Sequence, residues 1–263
     1  MINCKTYADE MLDSITGYGH LAVISVGDDP ASQSYIKGKR KDCERVGFKF
    51  SHYAFPDGVE TDEIISRINH LNNDPDVTGI IVQLPLPEGY NEEAITNCVA
   101  LEKDVDGFRA DSPFKPCTPE GIVHILKKEL GDLTGKSATI IGRGKLVGKP
   151  LMQMLLDENM TVCVCHSRTH EHDMGALINN ADAVIVAVGK PEKIDVRSYL
   201  GHAVVIDCGI NRNADGTLCG DVGFTNCHRI TPVPGGVGLL TRAMLMKHCE
   251  RMERMEEQKN VYQ

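Results

Sequence analysis

Short runs of aliphatic and β-branched residues recur along the chain, separated by stretches in which apolar side chains return every three or four positions. LAVISVG (21–27), GIIVQLP (79–85), SATIIG (137–142), TVCVCH (161–166), ADAVIVAVG (181–189) and AVVIDCG (203–209) are nearly continuous in apolar character. That pattern predicts strands buried on both faces, as in a parallel sheet covered by helices. Helical spacing predicts helices over 32–46, opened by Ser32 and closed by Gly47, and over 61–73 and 91–99. A further helix is predicted over 118–130, with Thr118 as its cap and Pro119 in its first turn. PLMQMLLDENM and TRAMLMKHCERMERMEEQ also read as helices; Met244, Met252 and Met255 in the last are assigned to core or interface filling. Strand and helix alternate, so the fold class is α/β. No internal repeat or long linker marks a boundary, and the Pro116–Thr118 region, ahead of the helix leading to Ser137, is the chosen division.

With 263 residues, 41% of them hydrophobic, the chain can bury one large core or two modest ones. A formal charge of −9 and the absence of any Lys/Arg block argue against a nucleic-acid surface. The ten cysteines show no repeating spacing, which suggests reduced thiols in a cytoplasmic protein. The first residues, MINCKTYADEMLD, hold no apolar run of signal-peptide type, and no stretch reaches the ~18 apolar residues of a membrane span, so no membrane partner is expected.

Candidate chemistry in the second half centres on GRGKLVGKP, where Gly142, Gly144 and Gly148 follow a predicted strand and precede a helix. Glycine there lets backbone N–H groups approach a pyrophosphate at a helix N-terminus. The G-x-G-x-x-x-G spacing is looser than the usual dinucleotide fingerprint, and a plain glycine-rich turn is the competing reading. At the end of the next strand an NAD-binding fold would carry an acidic residue for the ribose hydroxyl; this chain has His166, Ser167, Arg168 and Thr169. A cation with hydroxyls suits a 2′-phosphate, favouring NADP, with Arg143 as a second cation; a polar surface loop is the alternative. Cys163, Cys165, His166, His170 and His172 are not taken as a metal site. Both cysteines fall on one side of a strand, and the paired C-x-x-C knuckle of structural zinc is absent.

In the first half, SYIKGK places Tyr35 and Lys39 one helical turn apart, with Cys43 on the same face. Taken alone, that describes an amphipathic surface helix with a half-buried tyrosine and a solvated lysine. Gln83 stands at the carboxyl end of a predicted strand, where ligands of open α/β sheets collect. KDVDGF sets Asp104 and Asp106 in a loop, and PVPGGVG adds a segment nearly free of side chains against which a flat ligand could lie.

The order of SYIKGK, VQLPLP, KDVDGF, PCTPEG, GRGKLVGKP, CHSRT, ADAVIVAVGKP, VVIDCGIN, GDV and TPVPGGVG resembles the methylenetetrahydrofolate dehydrogenase/cyclohydrolase family over almost the whole chain. The resemblance implies an N-terminal α/β folate domain, 1–117 with a returning C-terminal helix 240–263. It also implies a Rossmann-type NADP domain over 118–239 and a homodimer. The activity implied is NADP-dependent oxidation of 5,10-methylenetetrahydrofolate and hydrolysis of the methenyl product to 10-formyltetrahydrofolate. Carried over, the catalytic residues are Lys39, Tyr35, Gln83 and Asp106, and the folate contacts add Leu84, Pro85, Pro234, Gly235, Gly236, Val237 and Leu239. The cofactor contacts are Gly142, Arg143, Gly144, Val147, Gly148, His166, Ser167, Arg168, Gly189 and Ile210. Partial burial beside a cationic substrate is expected to depress the Lys39 pKa. The chain departs from the family in a short RADSPFK connection, in Gly144 where a serine is usual, in Leu239-Leu240 for Pro-Met, and in a trimmed N-terminal helix. The alternatives are a monofunctional dehydrogenase of the same family, another NADP-dependent dehydrogenase of shikimate-dehydrogenase type, and a non-catalytic folate-binding protein.

Overall fold

The computed structural model describes residues 1–194, 202–223 and 227–261, with side chains as far as residue 250. In chain order the elements are α1 (Cys4–Asp13), β1 (His20–Val26), α2 (Pro30–Val46), β2 (Lys49–Phe55), α3 (Thr61–Asn72), β3 (Gly79–Val82), α4 (Glu92–Thr96) and α5 (Cys117–Leu130). They continue with β4 (Ser137–Ile141), α6 (Gly148–Asp157), β5 (Thr161–Cys165), α7 (Glu171–Asn179), β6 (Ala183–Val186), β7 (Val204–Asp207), β8 (Asn211–Arg212), β9 (Leu218–Cys219) and α8 (Val237–Val261). The chain divides into two compact units, one of 9–115 with 242–263 and the other of 1–8 with 116–241.

The first unit is built on a parallel sheet of order β2-β1-β3. The chain steps from β1 to β2 on one side and returns to place β3 on the other, creating a strand-order switch between β1 and β3. Ala22, Ile24 and Val26 of β1 meet Ile80 and Val82 of β3, and Ile64, Ile68 and Leu71 cover that face from α3. The spacing of those three, four and then three apart, is the apolar stripe that makes α3 pack as a helix. Lys103, only 6% exposed, ends α3 by donating from Nζ to the Leu71 and Asp74 carbonyls at 2.9 and 2.6 Å. Helix α2 begins at Pro30, not at Ser32: Asp29 is the cap, and its carboxylate accepts the Ser32 N–H at 2.7 Å. Strand β2 escaped the sequence reading because KFSHYAF is an edge strand of partly exposed, mostly polar and aromatic residues, without a Val/Ile run.

The second unit carries a parallel sheet of order β5-β4-β6-β7, with its switch between β4 and β6. Ile141, Val184, Val186 and Val205 from the strands pack with Ile178 of α7. Strand β5 lies at the sheet edge with Val162, Cys163 and Val164 only partly buried, so the expectation of burial on both faces fails there. Helices α1 and α7 were also absent from the hydrophobic reading; both are short, and the Glu171–Asn179 segment has only Gly175 and Ile178 buried. Thr118 does not cap α5, which opens at Cys117 after Pro116 without a side-chain cap bond. The Thr118 hydroxyl instead meets that of Thr241 at 3.0 Å, in the first turns of α8. Met244 is buried as expected; Met252 and Met255 lie outside the described side chains. Among the described residues no helix is long and apolar enough to cross a membrane, and no cluster of three His, Cys, Asp or Glu is placed to hold a metal ion.

Candidate functional sites in the two units

In the first unit the central contact joins α2 to the end of β3. Lys39 is 7% exposed and donates from Nζ to Gln83 Oε1 at 2.9 Å. The Gln83 amide is held in that orientation because its Nε2 donates to the Leu84 carbonyl at 2.7 Å, while its backbone N–H donates to Ile24 O at 2.8 Å. Gln83 therefore sits at the switch between β1 and β3, the position that collects ligands in such sheets. Leu84–Pro85 is a cis peptide, with Leu84 half-buried and Pro85 exposed. Tyr35 is half-buried one turn before Lys39; burial pushes its phenol pKa up, and the Arg242 charge opposes that rise.

The two KDVDGF carboxylates have different fates. Asp104 is buried and accepts the Phe108 and Arg109 N–H groups at 3.3 and 3.0 Å, so it shapes the loop. Asp106 remains part-exposed, and its charge reaches Cys249 of α8, whose thiol is pushed well up by burial, by Cys43 and by Asp106. Cys43 follows Lys39 by one turn and feels the lysine's charge; burial pushes its thiol up to about 12. The Lys39 charge is thus felt at one buried thiol, Cys43, and the Asp106 charge at another, Cys249. The short connection after Asp106 is closed by Phe114, which stacks on the buried His248 ring at 4.5 Å between centroids. His248 Nδ1 in turn bonds the Val105 carbonyl at 2.8 Å, directly before Asp106.

In the second unit the glycine turn after β4 is tight. Gly142 has φ 123° and its N–H donates to Cys165 O at 2.9 Å; a Cβ there would strike the Ala187 carbonyl, across the β4/β6 switch. Gly148 opens α6, and a Cβ on it would run into the Gly142 carbonyl. Arg143 and Gly144 are exposed and Val147 is half-buried. After β5 the chain turns through His166, whose N–H donates to Thr169 Oγ1 at 3.0 Å and whose Nδ1 accepts the Arg168 N–H at 3.2 Å. Ser167 and Arg168 are left exposed. A narrow glycine turn at a helix N-terminus, cations after β4 and β5 and no carboxylate at the end of β5 fit a dinucleotide that bears a 2′-phosphate.

Sequence reasoning gave no role to the acids behind this rim. Asp221 is fully buried; one of its oxygens accepts the Val188 and Gly189 N–H groups at 2.7 and 2.9 Å. The other accepts Lys190 N–H and Asn211 Nδ2, both at 2.9 Å. Asp207 accepts the N–H groups of Gly209, Asp221 and Val222 at 2.9, 2.9 and 3.0 Å, and burial still pushes its pKa up. These two carboxylates fix the loops after β6 and β7, which present Gly189 and the half-exposed Ile210. The only sequence trace of the arrangement is the pair of dipeptides IDC and GDV. PVPGGVG also belongs to this unit: Val233–Pro234 is cis, Pro234 and Gly235 are exposed, Gly236 and Val237 are buried, and Leu239 is half-buried in the first turn of α8.

Residues 4–106 match the family model described as the tetrahydrofolate dehydrogenase/cyclohydrolase catalytic domain, and residues 116–258 match that of its NAD(P)-binding domain. The bifunctional protein FolD of Agathobacter rectalis is 46% identical over 266 residues, covering 94% of this chain and 95% of that one. The crystal structure of the bifunctional enzyme FolD, a methylenetetrahydrofolate dehydrogenase/cyclohydrolase from Campylobacter jejuni, superposes with a TM-score of 0.88 at 37% identity, over 97% of this chain and 98% of that one. The Trypanosoma brucei enzyme complexed with NADP and an inhibitor gives a TM-score of 0.88 at 27% identity, over 97% of both chains. With both of its halves matched in order, the chain belongs to the tetrahydrofolate dehydrogenase/cyclohydrolase family.

Proposed function

We propose that the chain oxidises 5,10-methylenetetrahydrofolate to the methenyl compound with NADP and hydrolyses that compound to 10-formyltetrahydrofolate. Residues 1–117 with helix 240–263 would form the folate domain, and 118–239 the cofactor domain. The observation that carries the reading is the buried Lys39–Gln83 bond at 2.9 Å, at a strand switch, in a chain of this family.

When bound, NADP supplies the hydride acceptor for the first step. This chain's part in that step is orientation: Asp106 accepts hydrogen bonds from the pterin's amino and ring N–H groups, and Tyr35 packs beside the ring. Gly142, Gly144, Gly148 and Val147 would line the pyrophosphate turn, while Arg143, His166, Ser167 and Arg168 would hold the 2′-phosphate. Gly189 and Ile210 would lie toward the nicotinamide. Leu84, Pro85, Pro234, Gly235, Gly236, Val237 and Leu239 contact the folate. In the second step water attacks the methenyl carbon and the neutral Lys39 amine takes its proton. The bond from that carbon to N5 then breaks as the new hydroxyl's proton moves to N5. The carbon is left as a formyl group on N10, and one proton is released overall. Gln83 Oε1 holds the Lys39 nitrogen in place throughout, since its own amide is tethered to Leu84.

The protein is also read as a cytoplasmic homodimer; none of its ten cysteines is in a disulfide, in keeping with a reducing compartment. One sample tests the main reading. NADPH absorbance is followed with methylenetetrahydrofolate and NADP, and methenyl absorbance is then followed as it decays. Both signals are expected. Loss of the second alone would leave a monofunctional dehydrogenase, and loss of both in folded protein would leave a binding protein.

A further inference from the structure

The glycine inside SYIKGK has no part in the chemistry above, yet a glycine within a 17-residue helix is destabilising relative to alanine. Its position explains it. Tyr35, Gly38, Lys39 and Asp42 are spaced i, i+3, i+4 and i+7, a single stripe of α2. Arg242 of α8 lies across that stripe. Its Nε donates to Asp42 Oδ2 at 2.6 Å, with the side chains 21% and 13% exposed. A Cβ on Gly38 would stand 2.5 Å from Arg242 Nη1 and 2.8 Å from Cζ, so the guanidinium fills the volume a methyl group would need. One turn further along both helices, Cys43 Sγ meets Met246 Sδ at 3.5 Å. The Arg242 charge also reaches the Tyr35 phenol and opposes the effect of its burial.

We propose that Arg242 is a positioning residue for the hydrolytic step: lying over Gly38 and paired with Asp42, it sets the rotation of α2 that keeps Tyr35 and Lys39 aimed at their partners. The proposal rests on the roles given to Lys39 and Tyr35 above. The Lys39–Gln83 bond, at 2.9 Å, has a few tenths of an ångström of slack before it leaves the ordinary hydrogen-bond range. A small turn of α2 about its axis moves the end of a lysine side chain by more than that.

A double-mutant cycle on the full chain tests it, with Gly38→Ala, Arg242→Met and the pair, plus Arg242→Lys and a Lys39→Met reference. The readouts are kcat and KM for methenyl hydrolysis, KM for NADP, and the thermal midpoint of each variant. Gly38→Ala is expected to lower kcat for hydrolysis about tenfold in the Arg242 background and less than about twofold on top of Arg242→Met. Arg242→Met should lower the same kcat about tenfold with KM for NADP unchanged, and Arg242→Lys should recover part of it. A normal kcat in Arg242→Met with only a lower thermal midpoint would reduce the pair to ordinary helix packing. Equal effects of Gly38→Ala in both backgrounds would also overturn the proposal. Retention of hydrolysis by Lys39→Met would instead defeat the functional reading, so the two failures are distinguishable.

Discussion

The two units solve the same problem with different materials. Both are parallel sheets with a strand-order switch, and both put their candidate chemistry at the carboxyl ends of the strands beside it. In the unit of β1 to β3 the proposed working groups are side chains: Lys39, Gln83, Tyr35 and Asp106, with Asp104 and Lys103 shaping loops. In the unit of β4 to β7 the proposed working surface is backbone: a turn that only glycine can make, and loops tied down by two buried carboxylates that accept seven hydrogen bonds. Substitutions in the first should therefore change chemistry while sparing the fold. Substitutions in the second should change shape first and binding as a result.

The largest separation is expected from Lys39→Met. Removing an acid/base group costs about 10²–10⁴ in rate, so hydrolysis of the methenyl compound should fall by that factor while NADP affinity and the thermal midpoint stay near those of the parent. A hydrolysis rate within threefold would remove Lys39 from the mechanism. Asp221→Ala is the counterpart in the other unit. It takes the acceptor from four donors in part-buried bonds, a loss of about 2 kcal/mol by urea unfolding, with NADP binding weakened in step. If stability is unchanged, the loops after β6 and β7 are held by something other than this carboxylate.

The KDVDGF pair puts both behaviours within one loop. Asp106→Asn gives up a charge-assisted pairing and should raise KM for the folate about 10- to 100-fold with little change in unfolding free energy. Asp104→Asn, at a residue 4% exposed that accepts two backbone N–H groups, should do the reverse and cost about 1–2 kcal/mol of stability. Urea unfolding and substrate titration on the two variants decide the matter, and identical profiles would mean that the loop does not divide the labour.

This division of materials also governs what the sequence discloses. Six strands were legible because each is a Val/Ile-rich run, and β2 was not, because an edge strand needs no such run. The Tyr35–Lys39 pair was visible as helical spacing, but the capping role of Asp29 and the packing role of Gly38 depend on atoms contributed by other elements or by chain direction. Gln83 could be placed at a strand end from pattern alone, whereas its amide orientation follows from the Leu84 carbonyl. Asp207 and Asp221 were read only as letters in a motif. Two buried acids that accept six of their seven hydrogen bonds from backbone N–H groups of three loops, and one from the Asn211 side chain, leave no periodicity in the chain.

The smallest expected effect is a difference in pH dependence between two carboxylates of the same unit. Asp182 is half-buried and accepts the Ser137 N–H and hydroxyl; its pKa lies below the ordinary 3.8, chiefly because of the backbone bond. The unfolded chain then binds the proton more readily. Its stabilisation is present above 3.8 and is lost as pH falls through the lowered folded value. Asp207 has the opposite sign. Three N–H groups draw its pKa down, but burial outweighs them and the folded value lies above 3.8. Its contribution is present below 3.8 and is lost as pH rises through the raised folded value. Urea unfolding of the parent, Asp182→Asn and Asp207→Asn across about pH 3 to 7 isolates each slope as a difference from the parent, whatever the constant cost of each replacement. The parent's advantage over Asp182→Asn should grow with pH in that window, and its advantage over Asp207→Asn should shrink. A growing advantage over Asp207→Asn would mean that its backbone donors outweigh its burial. The carboxylate behind the cofactor rim would then be a net anchor for its loops, not a group held there at a cost.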